Sequence, residues 1–360
     1  MRDSRRISEF RVVPYALPLR RPWATARGAL QRRQGFLIGL RCSEGPRGFG
    51  DCAPLEAAGT ESLSQARTRL TQAAEISRNC LPRDLSASVS NWRDTPAAHC
   101  AVETALLDIQ SQLAGLPLCR CLSTEAGDAV EVNAAAGGLD QDCVQRCLSA
   151  AAHGYDVIKL KVAQNTITSE INKIMNIIDV LPSNTRLRLD ANRGWDSSEA
   201  AQLVEALRDA PIDSLEEPLR DPNREALRRL QARVSWPIAL DESIRLWSRS
   251  EWLSDPPVRR IVCKPAVHGG LGETLALGQS LQAAGVQTVI TTTLESAAGT
   301  WACAHLAAAL NNGLAHGLGT SDWFARNTGA PPPVTRARIK LSGRAGLGFV
   351  PYDSWRFSIG

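Results

Sequence analysis

Residues 186–195 have the sequence RLRLDANRGW, and this stretch decides how the rest of the chain is interpreted. Polar and apolar residues alternate as far as Gly194, which predicts a β-strand that ends in a loop. Because successive side chains of a strand point to opposite faces, Arg188, Asp190 and Asn192 are expected to share one face. An aspartate at this place can simply cap the following helix. In a parallel (β/α) barrel, however, the end of a strand belongs to the active-site face.

The composition is that of a globular protein with room for two domains. The chain has 360 residues, of which 44% are hydrophobic and 22% charged; this is typical of a folded protein. A formal charge of +4 without any block of Lys and Arg argues against nucleic-acid binding. No apolar run has the length of a membrane span, and residues 1–6 lack a signal-peptide pattern. The ten cysteines are scattered, so we expect a reducing, cytoplasmic setting, no membrane or nucleic-acid contact, and no identified protein partner.

An α+β domain is predicted for residues 1–125. Residues 7–55 alternate like the strands of an antiparallel meander, and two helical patterns follow at 60–76 and 96–116. Between the first two strands, residues 19–33 are basic and irregular. We expect them to form a mobile loop that becomes ordered over an anionic ligand and shields it from water.

A different rhythm begins near residue 126, where short apolar strands alternate with amphipathic helices. The strand candidates are residues 129–136, 157–162, 186–192, 212–218, 237–243, 260–265, 286–294 and 314–320. Such βαβ units predict a parallel sheet with right-handed crossovers, and eight of them favour a closed barrel. The predicted fold class is therefore α/β: a modified TIM-type barrel at 126–325, with the N-terminal capping domain completed by residues 326–360.

Charged residues recur at the ends of the predicted barrel strands. These are Lys159 and Lys161 on the second, Asp190 on the third, Glu216 and Glu217 on the fourth, Asp241 and Glu242 on the fifth, and Lys264 on the sixth. Each could be an independent salt bridge or helix cap. From Asp190 to Lys264, however, they follow one another at intervals of 23 to 26 residues, which is one βα unit per step. The spacing therefore predicts that they meet at one end of the barrel.

Three carboxylates at this end supply the hard oxygen ligands that suit Mg²⁺ better than Zn²⁺. The lysines of strands two and six would lie on opposite sides of them. A nearby divalent cation lowers the pKa of a lysine, which can then act as a base near neutral pH. This combination is typical of enzymes that remove the proton next to a carboxylate, since the metal stabilises the enediolate that results.

These motifs resemble those of the enolase superfamily, in its muconate-lactonising-enzyme-like branch. They are KLK at 159–161, LDAN at 189–192, LEEP at 215–218, LDES at 240–243 and CKP at 263–265. The resemblance spans nearly the whole chain and implies the following roles. Asp190, Glu216 and Asp241 would bind Mg²⁺ or Mn²⁺, Lys161 and Lys264 would be the acid/base pair with Lys159 beside the base, and Arg188, Glu217 and Glu242 would support these residues.

Within that branch the sequence is most similar to the o-succinylbenzoate synthase family. The similarity rests on residues 186–195, on GFGDCAPL at 48–55, on TTTLESAAG at 291–299 and on HGLGT at 316–320. It implies syn dehydration of 2-succinyl-6-hydroxy-2,4-cyclohexadiene-1-carboxylate to o-succinylbenzoate via an enediolate, in menaquinone and phylloquinone biosynthesis. The contacts implied for this small carboxylate substrate are Asn192, Thr293, Ser296, Gly319 and Thr320. The alternative for 291–299 is simply a strand that leaves the core.

Other functions stay open at this point. N-succinylamino acid racemases of the same branch share the lysines and a succinylated substrate. Dipeptide epimerases carry a D-x-D element at the eighth strand, where this chain has GLGTSDW with only Asp322, so that reaction is disfavoured. A silent barrel with a structural role is also disfavoured, because buried charges without a metal would destabilise its core.

Overall fold

The computed structural model of the protein describes residues 5–25, 28–43, 45–78 and 80–355. The strands are β1 (Ile7–Thr25), β2 (Gly28–Cys42), β3 (Arg47–Cys52), β4 (Ala129–Glu131), β5 (Ala134–Gly138), β6 (Val157–Lys161), β7 (Arg186–Asp190), β8 (Ile212–Glu216), β9 (Ile238–Leu240), β10 (Arg260–Cys263), β11 (Gln287–Ile290), β12 (Val334–Thr335) and β13 (Arg338–Lys340). The helices are α1 (Leu63–Ile76), α2 (Pro82–Val89), α3 (Pro96–Ala114), α4 (Leu118–Leu122), α5 (Cys143–Ala152), α6 (Ile167–Val180), α7 (Ser197–Ala206), α8 (Arg224–Gln231), α9 (Arg249–Ser254), α10 (Pro265–His268), α11 (Leu271–Ala283) and α12 (Ala297–Leu310).

The N-terminal part is an antiparallel sheet in the order β1-β2-β3, packed on α3. This confirms the predicted meander. Helix α3 begins at Pro96, which needs no N–H bond there, and ends at Gly115 in the left-handed conformation. In the first turn of α3, the backbone N–H groups of Ala97 and Ala98 donate hydrogen bonds to the carboxylate of Glu61. The short helix α2 was not predicted.

The expectation of an irregular loop at 19–33 is wrong. Strands β1 and β2 continue through this region as one long hairpin, in which Leu17 pairs with Arg33 and Trp23 with Leu30. The tip, residues 26–27, lies outside the described residues. The hairpin docks on the segment that follows residues 314–320, which are the predicted eighth barrel strand. The Trp23 and Trp323 rings lie 4.6 Å apart there. A two-stranded ribbon depends on such tertiary contacts, which a run of basic residues does not reveal.

The second part is a parallel sheet in the order β11-β10-β9-β8-β7-β6-β5, with helices between successive strands. The predicted eighth strand, 314–320, is reduced to isolated bridges. His316 pairs with Val132 beside the first barrel strand, and Gly317 pairs with Thr291 beside the last. These two residues close the barrel, and the predicted fold is confirmed.

The chain segments that flank the barrel differ in part from the prediction. The first strand candidate, 129–136, is divided, since β5 joins the barrel whereas β4 pairs with β13 in a separate small sheet. Further along the C-terminal segment, Phe349 contacts Phe49 of β3, and Leu347 N–H bonds Asp108 of α3. The C-terminal segment therefore contacts both parts, and the predicted domain boundaries stay a prediction.

Eight of the ten cysteines are buried. None of the helices in the four described ranges has the length and apolar character that crossing a membrane requires.

Substitution of Gly50 by alanine tests the packing of β3 on α3. A Cβ at Gly50 would lie 1.9 Å from the carbonyl oxygen of Ala101, a backbone atom that cannot move aside without shifting α3. We expect Gly50→Ala to destabilise the fold by about 1–3 kcal/mol, as overpacking of a core does, and to lower the midpoint of thermal unfolding. Gly343→Ala is the control, because a Cβ there meets no atom within 4 Å. Equal midpoints for the two variants would contradict the packing.

Candidate active site

The register of neighbouring strands brings the predicted residues together. Lys161 on β6 is paired with Asp190 on β7, which is paired in turn with Glu216 on β8. Three chemically active side chains therefore lie side by side at the carboxyl ends of three successive strands. Asp241 follows β9 directly, and Lys264 follows β10. The structure thus places all five at the face where barrel enzymes hold their active sites.

Each of the three acids predicted to bind a metal bonds a predicted lysine. Lys159 Nζ lies 2.8 Å from Asp190 Oδ2 and 2.7 Å from Glu216 Oε2. Lys161 Nζ lies 2.6 Å from Asp190 Oδ2 and 2.6 Å from Asn192 Oδ1. Lys264 forms an ion pair with Asp241. Asp190 and Glu216 are almost completely buried, so these charges are paired as buried charges must be.

The pKa values show how closely the charges depend on one another. Burial lowers the pKa of Lys159, but Asp190 and Glu216 outweigh this effect and hold it above the usual value. Burial raises the pKa of Asp190, and the two lysines outweigh that effect and hold it low. The pKa of Glu216 is raised, first by burial and then by the negative charge of Asp190. The lysines therefore offset the combined effect of burial and acid–acid repulsion for Asp190 but not for Glu216.

The residues present fit a hard divalent cation. Within the described ranges, no group of three or more His, Cys, Asp or Glu side chains is close enough to form a ready-made metal site. Asp190 and Glu216 both bond Lys159, whereas Asp241 bonds Lys264. The donor set itself consists of carboxylate oxygens on neighbouring strand ends, which are the ligands that Mg²⁺ and Mn²⁺ prefer.

Glu217 fixes the position of Asp241, the residue that follows β9. Its side chain is fully buried and accepts hydrogen bonds from the N–H groups of Asp241 and Ser243 and from the Ser243 hydroxyl. Its backbone is left-handed, with φ of 48°. Burial, together with the charge of Glu242, raises the pKa of Glu217 to about 8. The pKa of Glu242 is itself raised by burial and by Asp241. Both residues therefore adjoin Asp241.

Arg188 lies two residues before Asp190 on β7, deeper in the barrel. It belongs to a buried group of charged residues that the sequence did not indicate. Its guanidinium donates to Asp213 at 2.8 Å and to Asn133 at 3.0 Å. Arg260 of β10 forms an ion pair with the same Asp213. Simple alternation along β8 would turn Asp213 away from Arg188, but the pairing register shifts at this point. Such a β-bulge leaves no clear signal in a single sequence.

The predicted substrate contacts divide into two groups. Asn192 is exposed and bonds Lys161, while Gly319 and Thr320 begin the 3₁₀ turn Gly319–Trp323. Thr293 and Ser296, by contrast, are 4% and 0% exposed. The Thr293 hydroxyl bonds a glutamate, and the Ser296 hydroxyl accepts a bond from a threonine. Their contact with substrate stays a prediction that this geometry does not favour.

Thr292 is a polar residue near the site that the sequence pattern did not indicate. Its hydroxyl lies 2.8 Å from that of Thr320 and thereby joins the turn after β11 to the eighth barrel position. Alternation along the segment did not distinguish it from Thr293.

A parallel barrel with acids and opposed lysines at its strand ends, covered by an α+β domain, defines an enzyme of the enolase type. Residues 142–355 match the family model of the enolase C-terminal domain-like proteins, and residues 7–122 match the mandelate racemase / muconate lactonizing enzyme N-terminal domain. The chain belongs to the mandelate racemase / muconate lactonizing enzyme family of the enolase superfamily. The resemblance inferred from the motifs is confirmed.

Relatives of known function carry out different reactions. Muconate cycloisomerase 1 of Pseudomonas putida is 29% identical over 82% of this chain and 81% of its own length. The hydrophobic dipeptide epimerase of Enterococcus faecalis is 26% identical over 95% and 99%. The o-succinylbenzoate synthase of Pasteurella multocida is 28% identical over 88% and 90%. The family is therefore established, whereas the reaction is not decided by similarity.

Solved structures agree in fold over nearly the whole chain. Muconate lactonizing enzyme from Pseudomonas fluorescens, complexed with muconolactone, superposes with a TM-score of 0.85 at 25% identity, covering 98% of both chains. The Enterococcus faecalis dipeptide epimerase, complexed with Mg and the dipeptide L-Leu-L-Tyr, gives a TM-score of 0.84 at 24% identity, with 96% and 99% covered.

Neutralising one acid tests whether the carboxylates hold a catalytic metal. We expect Glu216→Gln to lower kcat/KM on the order of 100-fold or more, since one oxygen ligand loses its charge. Steady-state rates are measured at several Mg²⁺ concentrations and after removal of the metal by a chelator. Glu205→Gln, on the surface of α7, is the control. Near-wild-type activity of Glu216→Gln in chelated buffer would show that no metal acts there.

Proposed function

We propose that the chain catalyses the Mg²⁺-dependent syn dehydration of 2-succinyl-6-hydroxy-2,4-cyclohexadiene-1-carboxylate to o-succinylbenzoate. The observation that carries the proposal is the position of Lys161. Its side chain is 38% exposed, against 23% for Lys159, and among the described residues it bonds one acid where Lys159 bonds two. Of the two lysines on β6, Lys161 is thus the one at the open, carboxyl end of the barrel that can reach a substrate. The o-succinylbenzoate synthase among the relatives supports the choice of reaction.

The roles of the side chains follow from their positions. Mg²⁺ bound to the acids would stabilise the negative charge that develops on the substrate carboxylate. Lys161 removes the α-proton and then returns it to the departing hydroxyl, because a syn elimination places both on one face. Lys264, on the opposite side of the barrel, provides a fixed positive charge near the delocalised electrons. Lys159 stays between Asp190 and Glu216, and its positive charge favours the ionised form of both.

Racemisation of N-succinylamino acids is the second candidate, and the position of Lys264 favours it. Lys264 follows β10, which lies four strands from β6 in the barrel sheet and therefore faces Lys161 from the opposite side. Two lysines on opposite sides of a substrate can each exchange a proton with the same carbon atom, which is what racemisation needs. Epimerisation of dipeptides has less support, since only Asp322 stands where those enzymes carry two aspartates.

A parallel assay of four substrates tests the proposed reaction. The substrates are the cyclohexadiene carboxylate, N-succinylamino acids, dipeptides and cis,cis-muconate. We expect the highest kcat/KM for dehydration, at about 10⁴ M⁻¹s⁻¹ or above, as is usual for a natural substrate, and loss of turnover with a chelator. Turnover of dipeptides or muconate without dehydration would refute the proposal. Racemisation faster than dehydration would establish the second candidate instead.

Arginine substitutions distinguish the roles of the two lysines. Lys161→Arg should leave essentially no dehydration, because a guanidinium does not lose its proton at neutral pH. Lys264→Arg keeps the positive charge and should retain part of the rate. The control is Lys340→Arg, at an exposed position of β13. Rapid dehydration by Lys161→Arg together with an inactive Lys264→Arg would show that the two roles are reversed.

A further inference from the structure

Arg33 joins the capping sheet to the barrel through an unusual set of bonds. The residue is only 3% exposed. Its guanidinium donates to five backbone carbonyls: those of Leu294 at 3.1 Å, Thr293 at 3.3 Å, Pro54 at 2.7 Å, Gln34 at 3.2 Å, and Ala53. Two of these carbonyls follow barrel strand β11, and the others belong to the capping sheet or its end. The planar guanidinium, with donors on several sides, can satisfy all of them at once.

The barrel side of this junction is a backbone turn in an unfavourable conformation. Leu294 has φ of 67°, in the left-handed region that a residue with a bulky side chain seldom adopts. Its side chain is 2% exposed and packs with Tyr15, Leu17 and Phe324. A strained conformation of this kind persists only where its surroundings impose it. Arg33, through the Leu294 carbonyl, is one of the groups that impose it.

The same turn follows β11, at the end of the barrel where the acids and lysines lie. Just before it, Thr291 N–H bonds the carbonyl of Cys263, the residue that precedes Lys264. Thr292 then bonds Thr320 of the neighbouring eighth barrel position. A shift of the turn would therefore move this side of the barrel end, between the sixth and eighth positions, without touching the acids or the lysines of β6.

We propose that Arg33 is a positioning residue for the substrate pocket, because its guanidinium holds the left-handed turn at Leu294 against the end of β3. Bonds from the capping domain thus hold the strained backbone of the turn in place. Substrate binding depends on Arg33 although its side chain is buried between the turn and the capping sheet. The kinetic part of this inference rests on the turnover proposed above, whereas the conformational part does not.

Other contacts at the same junction limit the effect of losing Arg33. Ser296 N–H donates across it to Asp51 of β3 at 2.6 Å, and the Leu294 side chain packs against Tyr15 and Leu17 of β1. Asp51 is itself held within the capping sheet by the Tyr15 hydroxyl at 2.6 Å. The two domains therefore stay associated when Arg33 is replaced, and the change is confined to the turn.

Three variants test the proposal: Arg33→Met, Arg33→Lys and, as the control, Arg344→Met. Lysine keeps the charge but cannot reach carbonyls on both sides. We expect Arg33→Met and Arg33→Lys to raise KM for the best of the four substrates at least tenfold, with kcat changed less than threefold. Amide hydrogen exchange in residues 290–298 should rise at least tenfold in the full-length protein. Arg344 is exposed and lies after β13, and its replacement should change neither quantity.

A second substitution separates support of the turn from general stability. Leu294→Gly removes the conformational penalty of a positive φ, although it also deletes a buried side chain. In that background the replacement of Arg33 should raise KM less than threefold. An equal rise in both backgrounds would overturn the proposal, as would a wild-type KM and unchanged exchange in Arg33→Lys.

If Arg33→Met does not fold, Arg33→Lys provides the same comparison in both backgrounds. If none of the four substrates is turned over, the proposed reaction fails, while hydrogen exchange in residues 290–298 still decides the inference. Unchanged exchange in every Arg33 variant would then refute it.

Discussion

Carboxylates buried side by side at one end of a barrel need positive charge close to them. Here Asp190 and Glu216 are adjacent on neighbouring strands, and Lys159 binds both. Without such a partner, two ionised carboxylates that are buried next to each other would strongly destabilise the folded state. Most of the site follows from this constraint. The acids and the lysines belong to successive strands, so only a parallel sheet in this order lets each acid meet a lysine.

The supporting residues maintain that arrangement from two directions. Below the acids, Arg188 and Arg260 share Asp213 and so connect β7 with β10 through the interior of the barrel. Beside them, Glu217 fixes the backbone of Asp241. A divalent cation held by the same acids would supply part of the positive charge that the lysines now provide. Lys161 and Lys264 would then be free for a substrate, which links the charge balance of the fold to its chemistry.

The sequence predicted the barrel and its charged residues because both depend on local patterns. The alternation of strands with helices and the recurrence of acids from Asp190 to Asp241 are visible without any tertiary information. Three features were not visible, for physical reasons. The β1–β2 hairpin depends on docking against residues such as Trp323, the inward position of Asp213 depends on a bulge, and the turn at Leu294 depends on bonds from Arg33. Each arises from contacts between distant parts of the chain.

The stoichiometry of divalent cation binding decides whether Asp190, Glu216 and Asp241 form a metal site. Mn²⁺ gives a spin-resonance signal that falls when the ion binds to protein, and Mg²⁺ should displace it from the same site. One Mn²⁺ should bind per chain, and that binding should be lost when Asp190, Glu216 or Asp241 is replaced by its amide. Unchanged binding in the three amide variants, or no binding by the wild-type chain, would contradict the assignment of these acids to a metal site.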